Sequence, residues 1–198
     1  TADNSQGELY LTDVMALIKS SGKIAVAIQS NDFTETLGIN DRSQLAECAA
    51  IMRDRINDEH MRRGVTIVDP QTTWIDSTVV IANDVTILPG SALHGSTKIE
   101  TGAVIGPRST LTNVSVAEGA SIVESRITDS TVGARANVGP FTFIRPGTSL
   151  AAKSKAGAFV ELKSAQVGEG SKVPHLSYVG DAVIGEGSNI GAATIFVN

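Results

Sequence analysis

Aromatic residues are scarce in this chain, with one Trp, two Tyr and five Phe among 198 residues, or 4%. That shortage argues against a thick globular core built around large rings and suits a narrow interior filled by Ile, Val and Leu. Cysteine is rarer still. Cys48 alone excludes a disulfide framework within one chain and suits a cytoplasmic protein, and it reads as a structural thiol rather than a nucleophile. No apolar run approaches the roughly 20 residues of a membrane span, and no segment has the pattern of a signal peptide. Positive charge is not in excess: the net charge of −5 argues against a general nucleic-acid binder. No Gly/Ser-rich or low-complexity tract divides the chain.

What is present is a period. Ile75, Ile81, Ile87, Leu93, Ile99, Ile105 and Leu111 stand six apart. The series continues in steps of five or six through Val116, Ile122, Ile127, Val132, Val138, Ile144, Leu150, Ala156, Leu162, Val167, Val173, Val179, Ile184, Ile190 and Phe196, making 22 positions. Neither a helix nor a plain strand repeats this way; a stacked-turn architecture does. Three steps close one coil, so the series predicts a three-sided parallel β-helix of roughly seven coils. Glycine often follows the aliphatic residue, as at Gly106, Gly133 and Gly168, which suits tight corners. These are corner glycines rather than a phosphate loop, since no helix follows them.

Upstream, residues 9–20 read as a helix and Ile24–Ile28 as a short buried strand, together the trailing edge of an α/β domain. Residues 41–63 read as an amphipathic helix with Leu45, Ala49, Met52 and Ile56 as its apolar stripe. Asn40 or Asp41 can cap its start and Gly64 its end. The expected organisation is a domain remnant over 1–40, a linker helix over 41–64 and the solenoid over 65–198. Thr1 in place of Met and Asn198 in mid-repeat suggest a piece of a longer polypeptide, because solenoids need capping segments.

Coil arithmetic places polar residues. Arg145 and Lys163, 18 apart, should stack on neighbouring coils about 4.8 Å from each other. Like charges so placed call for an anion between them, a phosphate or carboxylate, or for neutralisation by Glu161. His175 and Tyr178 fall at the turn between two faces, with Asn189 and Asn198 a coil further on. One ridge should thus gather two cations, an imidazole, a phenol and two amides. His175 there is either structural or a base that takes a proton near neutral pH. Three-histidine zinc binding is excluded within one chain because His60 lies on the helix, away from His94 and His175. The threonines form no regular column, which argues against ice binding.

Several segments carry a resemblance: Gln6–Asp13, Gly38–Arg42, Gly139–Phe141 through Arg145–Gly147, Gly157–Lys163 and Pro174–Asp181. Together they resemble the bifunctional N-acetylglucosamine-1-phosphate uridyltransferase and glucosamine-1-phosphate N-acetyltransferase family of bacteria, its actinobacterial members above all. The resemblance implies a left-handed parallel β-helix of hexapeptide repeats, against the usual crossover hand, behind the remnant of an α/β nucleotidyltransferase domain. It implies a homotrimer with sites between subunits. It also implies acetyl transfer from acetyl-CoA to glucosamine-1-phosphate, then uridyl transfer from UTP with Mg2+, in service of peptidoglycan synthesis.

By the same resemblance, His175 is the general base. Arg145 and Lys163 hold the sugar phosphate, Tyr178 and Asn189 orient the sugar, and Ala192 and Asn198 line the acetyl-CoA site. Asn40 helps hold Mg2+, although a helix cap is an equally compatible role for it. Two rival readings are a purely structural trimerisation solenoid and a hexapeptide acyltransferase acting on another amine.

Overall fold

A series of aliphatic residues at every fifth or sixth position can be buried throughout only if successive segments turn about one axis. The computed structural model, which describes residue 7 and residues 10–197, does this with short parallel strands in three sheets of seven, eight and seven strands. Wall A runs from Thr66–Ile67 to Lys172–His175. Wall B runs from Trp74–Ile75 to Ile195–Phe196, and wall C from Val80–Ile81 to Val183–Ile184. Register never slips: Ile127 pairs with Leu111 on one side and Ile144 on the other. The expected hexapeptide-repeat β-helix is borne out.

Twenty of the 22 expected inward residues are buried. Ile190 is half-buried and Phe196 is 36% exposed, both in the last described coil. A second inward column, which the aliphatic period does not announce, lies two residues before the first. It holds Val79, Val85, Ala103, Val114, Ala120, Ala136, Val160 and Ala165, and also eleven hydroxyl residues from Thr73 to Ser177. These hydroxyls are buried because most bond a nearby carbonyl: Ser91 donates to Leu88 (2.8 Å), Thr97 to His94 (2.7 Å) and Ser154 to Ala151 (2.7 Å). Each wall segment therefore buries one large and one small side chain. Full burial of the large one is worth about 1.5–3 kcal/mol.

The corners use left-handed backbone. Polar residues and glycine take most of these positions, as at Asn113, Asp129 and Gly119. The corner from wall A to wall B instead carries Phe141 (φ 56°), Phe159 (φ 56°) and Leu176 (φ 53°). Bulky side chains rarely accept that conformation. Gly157 is needed for another reason: on the strand paired with Lys172–His175, a Cβ there would collide with the Pro174 carbonyl.

The chain forms two compact units, Thr1–Asn40 and Asp41–Asn198. In the first, α1 spans Asp13–Ser20 and a single 3-10 turn spans Phe33–Thr36. Leu9, at the start of the expected helix, lies outside the described residues. The expected strand Ile24–Ile28 does not form: its backbone pairs with no strand, and Ile24, Val26 and Ile28 are 88%, 74% and 92% exposed. An apolar run becomes a strand only where a neighbour satisfies its ladder, and none exists among the described residues.

In the second unit, α2 spans Arg42–Arg62. Asp41 caps it by accepting from the Gln44 amide at 2.8 Å, and Gly64 turns the chain out at φ 92°. The expected apolar stripe does not dock as a whole, for Leu45 and Met52 are more than half exposed. The helix meets the first coil with its C-terminal half, through Ile56 and the buried pair Asn57 and His60. Asn57 Nδ2 donates to the carbonyls of Pro70 (2.9 Å) and Thr73 (3.0 Å). Arg53 lies over Trp74 at 5.1 Å and donates to the Gln71 carbonyl at 2.8 Å. Polar anchors rather than the stripe seat this helix.

Candidate active site on two adjacent walls

Pairing of Phe143–Ile144 with Glu161–Lys163 sets Phe143 opposite Glu161, so Arg145 and Lys163 follow in register on wall B, as expected. The Arg145 amide completes the ladder by donating to the Leu162 carbonyl at 2.8 Å. Neither cation is bare. Arg145 Nη1 lies 2.9 Å from Glu161 Oε1, and Lys163 Nζ lies 3.6 Å from Asp181 Oδ2. The neutralising alternative therefore describes the chain by itself, and an incoming anion would have to exchange with these carboxylates.

Tyr178 also stands on wall B, opposite Glu161 and, on its other side, Ile195. His175 ends the last strand of wall A, opposite Ala158. Leu176 and Ser177 turn the chain between them. The Ser177 hydroxyl donates to the His175 carbonyl (3.0 Å) and reaches the Gly191 carbonyl at 3.3 Å, which pins the backbone that carries the imidazole. Asn189 bridges to Lys172 on wall A one coil on, and Ala192 is exposed near the corner that follows. Asn198 lies outside the described residues.

His175 belongs to wall A, whereas Arg145 and Lys163 occupy the far side of wall B, beyond the Tyr178 column. Outward residues two apart on a strand are separated by roughly 7 Å. The physical reason is that the corner consumes Leu176 and Ser177, so the imidazole is held before the turn and the cations lie a wall's width after it.

At the corner from wall A to wall B lies a cleft of about 470 Å³, lined by Phe141, Phe143, Phe159, Glu161, Leu176 and Tyr178 among others. Phe141 and Phe159 stack at 5.2 Å with a 21° interplanar angle. Sequence reasoning missed these side chains. Their signal was present in Phe141, Phe159 and Leu176, apolar residues 18 and 17 apart just after wall A, outside the inward series. Glu161 joins the two halves: it lines the cleft and holds Arg145.

Asn40 belongs to the first unit and immediately precedes the Asp41 cap of α2. Mg2+ takes near-octahedral oxygen ligation, usually with carboxylates. Among the described residues no group of three or more His, Cys, Asp or Glu side chains could hold a metal ion.

The fold and repeat define a hexapeptide-repeat β-helix. No protein-family model matches the chain. Among curated proteins it is 56% identical to the protein named "Bifunctional protein GlmU" of Kineococcus radiotolerans, over 99% of this chain and 40% of that protein. It is 55% identical to the protein of that name from Rhodococcus opacus, over 100% of this chain and 39% of the relative, and 52% identical to that of Corynebacterium diphtheriae, over 100% and 41%. The chain thus spans about 40% of the length of these relatives. This similarity bears out the resemblance drawn from the motifs: the chain is GlmU-like over practically its whole length. Among solved structures, a UDP-N-acetylglucosamine acyltransferase from Campylobacter jejuni overlaps 65% of this chain and 66% of its own at 15% identity, with a TM-score of 0.47.

Proposed function

We propose that this chain is part of a bifunctional enzyme of UDP-N-acetylglucosamine synthesis and carries the acetyltransferase walls. The observation that carries the reading is 52–56% identity along practically the whole chain to proteins named bifunctional GlmU. Tyr178 in the cleft, with His175 at the end of the adjoining strand of wall A and Arg145 paired to the cleft residue Glu161, supports it.

In this reading the amine of glucosamine-1-phosphate attacks the thioester carbonyl of acetyl-CoA. The new C–N bond forms as His175 accepts a proton from the amine, and the tetrahedral intermediate collapses to expel the coenzyme A thiolate, which takes that proton back. Arg145 and Lys163 hold the sugar phosphate after releasing Glu161 and Asp181. Tyr178 and Asn189 orient the sugar, and Ala192 and Asn198 line the acetyl-CoA site. The protein works as a homotrimer with sites between subunits, in the cytoplasm. Among the described residues no helix is long and apolar enough to cross a membrane.

Residues 1–40 are read as the end of the uridyltransferase domain, 41–64 as its linker helix and 65–198 as the acetyltransferase solenoid. UTP and Mg2+ belong to the uridyl step, for which Asn40 is the one candidate residue here.

A solenoid that only assembles is the second reading, favoured by the ion pairs that already satisfy Arg145 and Lys163. The test is His175→Ala in the intact gene product. Acetyl transfer to glucosamine-1-phosphate should fall by about 10²–10⁴-fold, while uridyl transfer to N-acetylglucosamine-1-phosphate stays near normal. Undiminished acetyl transfer would remove His175 from its role, and assembly without any turnover would favour the scaffold. Trials with several amino sugars separate this enzyme from an acyltransferase acting on another amine.

A further inference from the structure

Wall A carries an outward column in which Asn137 pairs with Lys155 and Lys155 with Lys172, while Asn189 bridges to Lys172 on the next coil. All four side chains are exposed. Only Asn189 has a role in the reaction proposed above.

The two lysines differ from the cations of wall B. Arg145 and Lys163 each face a carboxylate, and so does Lys153, at the corner before wall A, which lies 2.9 Å from Glu169. Lys155 and Lys172 meet no carboxylate within ion-pair distance among the described residues. Strand pairing holds their backbones about 4.8 Å apart, and like charges directly opposed on a sheet repel. Their environment therefore leaves two uncompensated ammonium groups on the wall that also carries His175.

Nor is the Lys155 stem simply splayed into water. Its Cε lies 3.3 Å from where a Cβ of Gly157 would stand. The lysine thus runs along the wall over a residue that has no side chain, toward the row in which Ala158 pairs with His175. On one side the Asn137 amide donates to the Arg135 carbonyl at 3.3 Å and keeps a second N–H, and Asn189 flanks the pair on the other, so both sides can donate to an oxyanion that the ammonium groups attract.

We propose that Lys155 and Lys172, flanked by Asn137 and Asn189, form a phosphate-binding subsite on wall A, separate from the Arg145 and Lys163 pair. Its ligand is a phosphate or pyrophosphate group on one of the two reacting molecules. The choice between sugar phosphate and coenzyme rests on the function proposed above, whereas the anion site itself does not.

The probe is inorganic pyrophosphate, titrated into this chain by calorimetry at low ionic strength. Lys155→Met with Lys172→Met keeps the apolar stems and removes both charges. Made in an Arg145→Met, Lys163→Met background, where the wall B cations can no longer hold the probe, this double variant should weaken the remaining pyrophosphate binding at least tenfold. No measurable binding in the Arg145→Met, Lys163→Met background, or binding there that survives the loss of both lysines, would overturn the proposal. An unchanged thermal midpoint in the lysine variants confirms that loss of binding is not loss of fold.

Competition identifies the source: displacement by coenzyme A assigns the cosubstrate, displacement by glucosamine-1-phosphate assigns the sugar, and displacement by neither overturns a substrate role. Failure of the His175→Ala test would sink the function proposed above while leaving a positive pyrophosphate result intact.

Discussion

The guanidinium of Arg145 lies 2.9 Å from the carboxylate of Glu161, and Glu161 at the same time lines the cleft beside Tyr178. Half-exposed ion pairs of this kind are worth about 0.2–1 kcal/mol, weak enough for a phosphate to displace. Glu161→Gln removes the competitor and leaves Arg145 in place. Under the function proposed above, the KM of the intact protein for glucosamine-1-phosphate should fall by about two- to fivefold, since 1.4 kcal/mol corresponds to a factor of ten. Arg145→Ala should raise KM instead. Steady-state kinetics on the two variants decides the matter, and a raised KM in Glu161→Gln would mean that the carboxylate itself touches the sugar.

Asn57 is fully buried and donates to both Pro70 and Thr73. Replacing it with Ala leaves two carbonyls without their donor, at a cost of about 2–3 kcal/mol. The one tryptophan of the chain, Trp74, lies under Arg53 and so reports on the same joint. Chemical denaturation followed by Trp fluorescence should show a lower midpoint for Asn57→Ala. A solenoid signal by circular dichroism that melts near the parent's would place the loss at the helix joint rather than in the coils.

His60 is buried on α2 and its Nδ1 has no hydrogen-bond partner. Burial lowers its pKa from the usual 6.5, with Arg63 adding to the effect and Glu59 opposing it. The unfolded chain therefore binds a proton at a higher pH than the folded one. This contribution to stability is complete above about pH 6.5 and is lost as pH falls from there toward the lowered folded value. Urea midpoints should drop between pH 7.5 and 5, and His60→Leu should remove that part of the drop. An identical pH profile in the variant would show that His60 does not control it.

Much of the solenoid was legible because every wall segment repeats one requirement, a single large aliphatic side chain pointing to the axis, as at Ile127 between Leu111 and Ile144. The companion column was not legible. Ser91, Ser154 and Ser171 are polar by composition, and they are core only because the turn brings a carbonyl within reach of each hydroxyl. The stripe on α2 misled for the converse reason: Leu45 and Met52 are apolar, but the first coil reaches only the end of the helix that holds Asn57 and His60. Ile24–Ile28 has the composition of a strand without a partner to make it one.

The order of letters alone determined the period, the three walls and the stacking of Arg145 with Lys163, because parallel pairing at constant rise converts sequence distance directly into place. Tertiary structure decided what spacing cannot encode. It set the direction each outward side chain takes at a corner, which put the imidazole of His175 on one wall and those cations on the next. It also chose the neighbours, giving Arg145 and Lys163 carboxylates while leaving Lys155 and Lys172 without them. Charge compensation depends on contacts among side chains, and those contacts exist only once the coils are closed.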